Sequence, residues 1–474
     1  MNEMDFFDAR PLLALALHVV LASAVTVHVL LRKADVGSAT GWIGLAWLSP
    51  IIGAGLYALL GVNRVHRRAQ EMRVPPLPLD QAEGESLREK SLTPLDRAAA
   101  EMTGRPSIGG NNIRILCNGD EAYPLMLAAI DAATSSIALS SYILRDDLAG
   151  APFLDALIRA HQRDVQVRVL IDGIGGGYFT SWGYRRLARH GVPAARFMHS
   201  LLPWRMPFLN LRMHKKLLVI DGQRAFTGGL NIGAENLLAL KPRHPVLDHH
   251  FAIQGPVVGQ LSRAFADDWQ MATGEELEDA IWFPEPLPAS GPASEQIMRV
   301  ITAGPDQDIE KIEFVALMAI TCAQKSVTLM TPYFLPDEKL VSALGLAARR
   351  GVEVDVVIPA KSNHRYVDFA MQANVSPLLE AGCRIWKDRP PFDHSKLMTV
   401  DGAWALIGSS NWDTRSFRLN FELGVEVYDA EFARALKAVM DAKRLQPLTL
   451  ENLAQRPLAA RLRDAALRLL LPYL

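Results

Sequence analysis

The sequence predicts an α/β fold made of two similar half-domains, preceded by a hairpin of two transmembrane helices. Three observations lead to this prediction: a motif that occurs twice, a shared order of strand and helix patterns around each copy, and a strongly apolar N-terminal segment. Short β-branched runs alternate with helical periods in the repeated part, which is typical of layered α/β folds. At 474 residues the chain also exceeds the size of a single domain.

Two long apolar stretches lie at the N-terminus. Residues 11–31 and 39–62 are each long enough to cross about 30 Å of hydrocarbon, and membrane helices tolerate the glycines and Pro50 of the second stretch. A cleaved secretory signal is the alternative, because Ala22-Ser23-Ala24 resembles a cleavage site. The preceding segment is acidic, however, and the apolar run continues past that site. We therefore predict a membrane anchor over residues 1–66.

Basic residues indicate the orientation of this anchor. The short loop between the two stretches holds only Arg32 and Lys33, whereas the segment after the second stretch holds more arginines. Those arginines are Arg64, Arg67, Arg68 and Arg73. Because cytoplasmic flanks carry the excess of basic residues, we expect a multi-pass protein of the inner (cytoplasmic) membrane, with its catalytic body facing the cytoplasm.

The remaining boundaries follow from composition and from the repeat. They are 67–112 for a linker, 113–290 and 291–446 for the two half-domains, and 447–474 for an amphipathic C-terminal tail. Within the linker, Thr93 as N-cap and Pro94 as first helical residue predict a short helix that ends near Met102. The half-domains repeat the same order of helix and strand patterns, in which Tyr142 matches Tyr333.

The repeated motif reads H-x-K-x-x-x-x-D-G and is followed in both copies by an Asn at the same spacing. Its residues are His214, Lys216, Asp221 and Asn231 in the first copy, and His394, Lys396, Asp401 and Asn411 in the second. In a strand the His and Lys point to the same side, and the Asp-Gly step favours a hairpin turn that brings the Asn back toward them. One copy is compatible with an ordinary hairpin, whereas two copies with the same downstream spacing argue against that explanation. Paired imidazoles, ammonium groups and amides suit a phosphodiester substrate.

This duplicated motif resembles the signature of the phospholipase D superfamily. The stretches 46–64, 228–233 and 331–337 are similar to bacterial cardiolipin synthases, a resemblance that extends over essentially the whole chain. It implies two half-domains related by a pseudo-twofold axis with one shared active site. It also implies a phosphatidyltransferase that converts phosphatidylglycerol into cardiolipin and glycerol through a phosphohistidine intermediate.

The resemblance further implies the roles of the motif residues. One histidine attacks phosphorus while the other acts as acid and base; we expect His214 to be the nucleophile and His394 the acid/base, although the pseudosymmetry allows the reverse. Lys216, Lys396, Asn231 and Asn411 are expected to bind the phosphate oxygens. Asp221 and Asp401 complete the catalytic motif, but their place at the turns favours a bracing role over substrate contact.

Each catalytic histidine needs a carboxylate that orients its ring. The candidates are Asp248, which follows His214 in the first half, and Glu422, which follows His394 in the second. The cluster of His244, His249 and His250 around Asp248 is better explained by a loop-to-strand transition than by a metal site. We expect neither a metal nor a cofactor.

Two further segments are candidates for lipid contact. Residues 201–211 are apolar and form either a buried loop or an entrance that dips into the membrane. The stretch 458–471 has leucines on one face and arginines elsewhere, which is typical of an interfacial helix, although packing on the enzyme body would give a similar pattern. The nearby Arg205, Arg212 and Lys215 would suit an anionic acceptor lipid.

The composition bears on the alternative functions. A phospholipase D-type hydrolase, or a phosphatidyltransferase with another donor such as phosphatidylethanolamine, has the same motifs. A nuclease is disfavoured by a net charge of −1 and a pI near 6.9, because nucleic-acid binding requires a basic surface. Three scattered cysteines indicate neither a disulfide framework nor a zinc site. The expected partners are therefore membrane phospholipids and the bilayer; the sequence does not indicate an oligomeric state.

The orientation can be tested with a topology reporter. A reporter fused after Leu474 is expected to behave as cytoplasmic, because the arginines that follow the second apolar stretch favour that side of the membrane. The same reporter fused in the short loop at Lys33 is the control and is expected to behave as periplasmic. Periplasmic activity of the C-terminal fusion would contradict the assigned orientation.

Overall fold

A computed structural model describes residues 4–33, 36–61, 90–199, 211–287, 295–306 and 308–469. The chain divides into two compact units, Met1–Glu71 and Met72–Leu474. The first contains the apolar N-terminal helices, and the second contains both copies of the motif. Most of the 201–211 segment lies outside the described residues.

The N-terminal unit is helical. Its helices are α1 (Met4–Arg32), α2 (Val36–Leu48) and α3 (Pro50–Leu56), followed by a π-helical turn (Tyr57–Gly61). Val25, Val29, Ala46 and Tyr57 form a small buried cluster between them. Among the described residues only one helix, over Leu12–Leu31, is long and apolar enough to cross a membrane by length and composition.

The predicted second span is not one continuous helix. It is divided after Leu48, because Pro50 has no backbone N–H and begins a new helix instead of continuing the old one. The described residues therefore contain one candidate membrane helix, and the predicted two-helix transmembrane hairpin is not confirmed.

The first half of the larger unit alternates strands and helices. Its strands are β1 (Ile108–Cys117), β2 (Ser136–Ser141), β3 (Gln166–Asp172), β4 (Ala194–Phe197), β5 (Arg212–Met213), β6 (Leu217–Ile220), β7 (Arg224–Gly228), β8 (Val246–Leu247) and β9 (His249–Gln254). Its helices are α5 (Asn118–Ala132), α6 (Gly150–Gln162), α7 (Trp182–Arg189) and α8 (Val257–Thr273), and helix α4 (Thr93–Thr103) precedes its first strand.

The second half repeats this alternation. Its strands are β10 (Gln296–Ala303), β11 (Ser326–Met330), β12 (Phe334–Leu335), β13 (Glu353–Pro359), β14 (Arg384–Asp388), β15 (Phe392–Asp393), β16 (Leu397–Val400), β17 (Trp404–Gly408), β18 (Trp412–Asp413), β19 (Asn420–Tyr428) and β20 (Gln446–Leu448). Its helices are α9 (Lys311–Cys322), α10 (Glu338–Arg349), α11 (Arg365–Gln372), α12 (Ser376–Glu380), α13 (Thr414–Arg418), α14 (Ala430–Asp441), α15 (Leu450–Ala454) and α16 (Leu458–Arg468).

One large sheet runs through both halves. Within the described residues it has 16 strands in the order β20-β14-β13-β11-β16-β17-β19-β10-β1-β9-β7-β6-β2-β3-β4, with β5 beside β19. β1 and β10 pair antiparallel at the centre, and the order outward from them is the same on both sides. This repeated order confirms the predicted α/β fold with two repeated domains.

Helices pack against the sheet to form one core in each half. The first core contains Phe153, Val169 and Phe226, and the second contains Leu329 and Trp404. Val169, Phe226, Leu329 and Trp404 come from largely buried strands, as expected for the central strands of a layered α/β domain, whereas Phe153 is on helix α6. The positions of the motif residues therefore depend on a rigid sheet.

The predicted linker helix is present as α4 and packs on the second half. Leu95 and Ala99 enter the second core, and Asp96 forms an ion pair with the fully buried Arg299. The N-cap is Leu92, not Thr93, so the predicted cap is wrong by one residue. Helix ends fray over a residue or two, which accounts for the difference.

The two motif hairpins are built alike. Asp221 and Gly222 both have positive φ, as do Asp401 and Gly402, which is the backbone conformation that an Asp-Gly turn favours. The Asp221 carboxylate accepts backbone hydrogen bonds from residues 134–136. Asp401 does the same with residues 324–326. Both aspartates thus tie a hairpin turn to the loop before the neighbouring strand.

A buried ion pair lies directly after the first motif histidine. The Lys215 Nζ is 2.7 Å from the Asp268 carboxylate of α8, and both side chains are almost fully buried. A buried charge that loses its counter-charge retains its desolvation cost, whereas replacing both charges by apolar groups is often neutral. Lys215 therefore anchors the motif strand to α8.

Replacing Lys215 alone is expected to destabilise the protein. The Lys215→Met variant removes the cation beside Asp268 and should lower the free energy of unfolding by about 3–5 kcal/mol. The double variant with Asp268→Leu should recover most of this loss, because it leaves no buried charge at the pair. Denaturant unfolding of the full chain in detergent measures both changes.

The exposed pair of Lys437 and Asp441 provides the matched control. Its Nζ–Oδ2 distance is also 2.7 Å, yet Lys437→Met should change the unfolding free energy by less than about 0.5 kcal/mol, because solvent screens the pair. Equal losses for Lys215→Met and Lys437→Met would show that burial of the Lys215 pair has no energetic effect.

Candidate active site

Both copies of the motif open into one cavity of the larger unit. Its volume is about 580 Å³, and its lining includes His214, Asn231 and Asp248 from the first half together with His394 and Asn411 from the second. The sequence prediction that the two copies lie at a common site agrees with this placement. The structure brings all five side chains together across the boundary between the halves.

Short strands from each half reach across to position the histidines. β5 pairs in parallel with β19, so that Met213 lies opposite Phe421 and the next residues are His214 and Glu422. β15 pairs in the same way with β8, and the next residues there are His394 and Asp248. The backbone N–H of His214 donates to Phe421, and that of His394 donates to Leu247. Each motif is therefore held by the opposite half.

The two histidines bind carboxylates in a crossed arrangement. The His214 Nδ1 lies 2.9 and 3.0 Å from the two Glu422 oxygens, and the His394 Nδ1 lies 2.9 Å from the Asp248 Oδ2. A carboxylate accepts, so each Nδ1 carries the proton and each Nε2 has a free lone pair. Both carboxylates proposed from the sequence contact a motif histidine, but each contacts the histidine of the other half and not the one that precedes it along the chain.

The crossing has a physical cause that spacing along the chain does not reveal. Asp248 and Glu422 occupy equivalent places, at the start of β9 and within β19, and both strands flank the central β1–β10 pair. At this boundary each carboxylate is nearer to the motif of the other half than to its own. A candidate found from its offset within one half is therefore assigned to the wrong histidine.

The two carboxylates have different protonation behaviour. Burial raises the pKa of Glu422 to about 7, against the opposing charge of Lys216 and hydrogen bonds from Ser409 and Asn420. Burial acts in the same direction on Asp248, but the charge of Lys396 and the hydrogen bond from His394 outweigh it, and the pKa of Asp248 is lowered. Asp248 is thus ionised at neutral pH, while Glu422 titrates there.

The motif lysines lie buried beside the histidines. The Nζ of Lys216 and that of Lys396 each donate to the backbone carbonyl of the histidine two residues earlier, and the Lys396 Nζ also lies 2.8 Å from the His394 Nδ1. Burial lowers the pKa of Lys216 to about 7, aided by the charge of Lys396, and lowers the pKa of Lys396 to about 8 against the charges of Asp248 and Glu422. These lysines supply positive potential to a site that excludes most solvent.

Both histidines are neutral before substrate binds. Burial, followed by the charge of Lys216, lowers the pKa of His214 well below its ordinary value. Burial and the charge of Lys396 lower the pKa of His394 to about 4. A neutral imidazole with a free Nε2 has the nucleophilic and basic form that phosphoryl transfer requires.

The motif asparagines lie at the cavity, whereas the motif aspartates lie in the hairpin turns away from it. Asn231 and Asn411 both line the cavity, and the Asn411 Oδ1 has no hydrogen-bond partner within the described part of the chain. Asp221 and Asp401 lie at the far ends of their motif strands, in the turns, where they hold backbone amides. Their grouping with the catalytic residues is not supported by this position, whereas the bracing role is.

The structure also places the residues considered for an anionic acceptor. Arg212 lines the cavity. Lys215 does not serve this purpose, because its ammonium is buried against Asp268. Arg205 lies outside the described residues. The expectation is therefore wrong for Lys215 and retained for Arg212.

Several residues of the site were not identified as functional from the sequence. Tyr142 packs edge-on against His214, and Tyr333 packs edge-on against His394, with ring centroids 5.2 and 6.1 Å apart. Their match between the two halves was visible and could have identified them. Ser409 and Asn420 donate hydrogen bonds to Glu422, but no pattern in the sequence distinguishes them from other small polar residues.

The three histidines near Asp248 differ in their surroundings: His244 lines the cavity, and the buried His250 Nδ1 has no hydrogen-bond partner within the described residues. The His249 Nδ1 is 2.8 Å from the Ser395 Oγ, and burial lowers the pKa of His250 to about 4. In the parts of the chain that the structure describes, no group of three or more potential ligands is arranged to hold a metal ion.

Comparison with known proteins gives a consistent result. The family described as "Cardiolipin synthase, PLD-like domain" matches residues 126–269 and 317–444, one segment in each half. A cardiolipin synthase from a Geobacillus strain is 33% identical over 91% of this chain and 88% of that protein. The major cardiolipin synthase of Bacillus subtilis is 30% identical over 97% of this chain and 98% of that protein.

A solved structure shares the fold. The phosphatidylserine synthase of Haemophilus influenzae superposes with a TM-score of 0.60 at 16% identity, over 81% of this chain and 100% of that one. At this identity the likeness concerns the fold alone.

The crossed pairs predict a pH profile for kcat/KM with a soluble phosphatidyl p-nitrophenyl ester. Glu422 must be ionised to accept the His214 proton, so activity should fall as the pH drops through about 7. The lysines must be protonated, so activity should also fall as the pH rises through about 7 to 8. Glu422→Gln should lower kcat/KM roughly 10²- to 10⁴-fold and remove the acidic limb.

Asp248→Asn is the matched control for this profile. It should lower kcat/KM to a similar extent but retain the acidic limb, because Glu422 is still present to titrate. An acidic limb that persists in Glu422→Gln and disappears in Asp248→Asn would contradict the assignment.

Proposed function

This chain belongs to the family of phospholipase D-like cardiolipin synthases, and on that premise we propose that it joins two phosphatidylglycerol molecules into cardiolipin and glycerol. The family membership rests on the two matched segments and on relatives of similar length. The substrates and the order of events are the proposal.

One observation supports the reaction most directly. His214 and His394 come from different halves and line one cavity, each with its Nδ1 bound to a carboxylate. Both Nε2 atoms are therefore available to the same substrate. Two such imidazoles suit a double displacement, in which one carries the phosphatidyl group and the other handles protons.

The reaction proceeds in two balanced steps. In the first, the Nε2 of one histidine attacks phosphorus and the bond from phosphorus to the glycerol oxygen breaks. The other histidine, which takes up a proton at Nε2 as the anionic phosphate binds, gives that proton to the glycerol oxygen. In the second, the hydroxyl of an acceptor lipid gives its proton to the same acid/base histidine, its oxygen attacks phosphorus, and the phosphorus–nitrogen bond breaks. The acid/base histidine is then protonated for another cycle.

The surrounding residues stabilise the charge that develops on phosphate. Lys216 and Lys396 supply positive potential, and Asn231 and Asn411 offer amide donors at the cavity wall. The ionised Asp248 and the titrating Glu422 stabilise the imidazolium that forms on each histidine in turn.

The location follows from the N-terminal unit and the lipid substrates. We place the protein in the inner (cytoplasmic) membrane, anchored by its apolar helices, with the larger unit in the cytoplasm. The C-terminal helix α16 packs on α11 through Arg463, whose guanidinium lies 3.4 Å from the Phe369 ring centroid. Leu458 and Leu462 on α16 are exposed and would contact the lipid surface.

A second candidate is supported by the same geometry. A phospholipase D-type hydrolase would form the same phosphohistidine and pass it to water, and a related transferase would accept phosphatidylethanolamine as donor. Transfer requires that a lipid alcohol reach phosphorus before water does. The products therefore decide between these functions.

Product analysis with pure phosphatidylglycerol vesicles tests the proposal. The purified full-length chain, in buffer that contains EDTA, is expected to release cardiolipin and glycerol in equal amounts. His214→Ala and His394→Ala should each lower this activity by at least about a thousandfold, because both residues act at one site. Lipid products are identified by mass spectrometry, and glycerol is measured enzymatically.

Phosphatidic acid as the main product would identify a hydrolase. Loss of activity in EDTA that a divalent ion restores would identify a metal-dependent mechanism. Near wild-type turnover in either histidine variant would contradict the shared site.

A further inference from the structure

The walls of the cavity differ beside the two histidines, although the halves are repeats. The residue two positions before the histidine is Arg212 in the first half and Phe392 in the second, and both line the cavity. The residue four positions after the motif asparagine is Glu235 in the first half and Arg415 in the second. Equivalent positions of the two halves therefore carry different charges where they line the cavity.

Two arginines, one from each half, line the cavity on the His214 side. Arg212 is on β5, which pairs with β19, and Arg415 is on α13, which immediately precedes β19. Burial and the nearby charge of Arg212 lower the pKa of Arg415, and the charge of Arg415 in turn acts on His214. Both guanidinium groups are half-buried and line the cavity.

The wall on the His394 side is aromatic. The ring centroid of Phe392 lies 5.9 Å from that of His394, and Tyr333 lies 6.1 Å from the same ring. His364 stacks obliquely on Tyr333 at 5.7 Å. This wall offers ring faces and edges where the opposite wall offers two cations.

The product of the proposed reaction contains two phosphodiesters joined by one glycerol. The lysines and asparagines of the motifs bind the oxygens of the phosphate that reacts. The acceptor lipid brings a second phosphate that does not react, and this phosphate must lie one glycerol away from the first. The charge of Arg212 lowers the pKa of Arg415 while that of Asp413 raises it, and Arg212 in turn acts on Asp172, so carboxylates partly offset the repulsion between the two guanidinium groups. Guanidinium groups that line the cavity can nevertheless donate to phosphate oxygens.

We propose that Arg212 and Arg415 form an anion subsite that binds the phosphodiester of the acceptor lipid. This inference rests on the proposed transfer reaction and specifies its acceptor as an anionic lipid alcohol. Guanidinium groups bind phosphate oxygens through paired, charge-assisted hydrogen bonds, which gives both affinity and orientation. The subsite favours an acceptor with a phosphate over glycerol or water, which have none.

The position of the subsite also indicates which histidine is the nucleophile and which is the acid/base. The attacking and leaving groups of a phosphoryl transfer lie roughly in line on opposite sides of phosphorus. Since the acceptor is held beside His214, that residue takes the proton of the entering hydroxyl. His394 then carries the phosphatidyl group, which reverses the expectation from the sequence.

Two acceptors that differ only in the second phosphate test the subsite. Phosphatidylglycerol vesicles are supplied with radiolabelled glycerol, so that cardiolipin formation and label exchange into phosphatidylglycerol are measured together. In Arg415→Gln and Arg212→Gln, the ratio of cardiolipin formation to exchange should fall at least about tenfold, the size of one lost charge-assisted contact. Arg415→Lys, which keeps the charge, should have a smaller effect.

Arg418→Gln is the matched control. Arg418 lies on the same short helix, is exposed, and forms an ion pair with Glu310 outside the cavity. Its variant should keep the wild-type ratio. A parallel loss of both reactions in the Arg212 and Arg415 variants would overturn the subsite, whereas exchange without any cardiolipin in the wild type would instead refute the proposed function.

The histidine assignment has its own measurement. The wild-type enzyme is quenched at alkaline pH during turnover, and the phosphorylated histidine is located by mass spectrometry of its peptides. The group is expected on His394. Its recovery on His214 would place the entering alcohol on the aromatic side, away from the two arginines, and would contradict the proposal.

Discussion

The reciprocal pairing of short strands between the halves is the constraint on which the site depends. β5 lies against β19, and β15 lies against β8, so that each motif histidine is next to a carboxylate of the other half. These contacts are possible because β1 and β10 join the halves into one sheet. Neither half contains a complete pair of histidine and carboxylate. Each pair of histidine and carboxylate therefore forms only at the boundary between the halves, where the two copies of the hairpin face each other.

The repeat supplies a common backbone, and a few substitutions give its halves different chemistry. A Cβ at Gly229 would lie 2.1 Å from the Asp248 Oδ1, so this position leaves no room for a side chain. The equivalent Ser409 donates its hydroxyl to Glu422. Lys396 and the hydrogen bond from His394 keep Asp248 ionised, whereas burial raises the pKa of Glu422 to about 7 although the Ser409 hydrogen bond acts in the opposite direction. Two similar hairpins can therefore take unequal parts in one reaction.

Buried charges connect the site to the rest of the unit. Lys215 ties the first motif to α8 through Asp268, and Arg299 ties β10 to Glu426 on β19 and to Asp96 on α4. Such pairs contribute little net stability, but any rearrangement that separates them exposes a desolvated charge. They hold the strands around the cavity in a single arrangement. A transfer reaction benefits from this rigidity, because the acceptor must meet phosphorus in a fixed geometry before water does.

The sequence by itself determined the α/β class and the duplication, and it predicted most residues of the candidate site. It could do so because the residue types and the spacing of a repeated motif indicate which chemistry the motif can perform. The candidate residues predicted in this way are His214, His394, their lysines and asparagines, and the carboxylates Asp248 and Glu422, and the structure brings both histidines, both asparagines and Asp248 to one cavity. Tertiary structure alone decided which carboxylate serves which histidine, that Lys215 is buried in an ion pair, and that Arg415 lies beside Arg212. It also showed that the second apolar stretch is divided at Pro50. Spacing along a chain describes neighbours within one half, whereas these features arise from contacts between segments far apart in sequence, which only packing brings together.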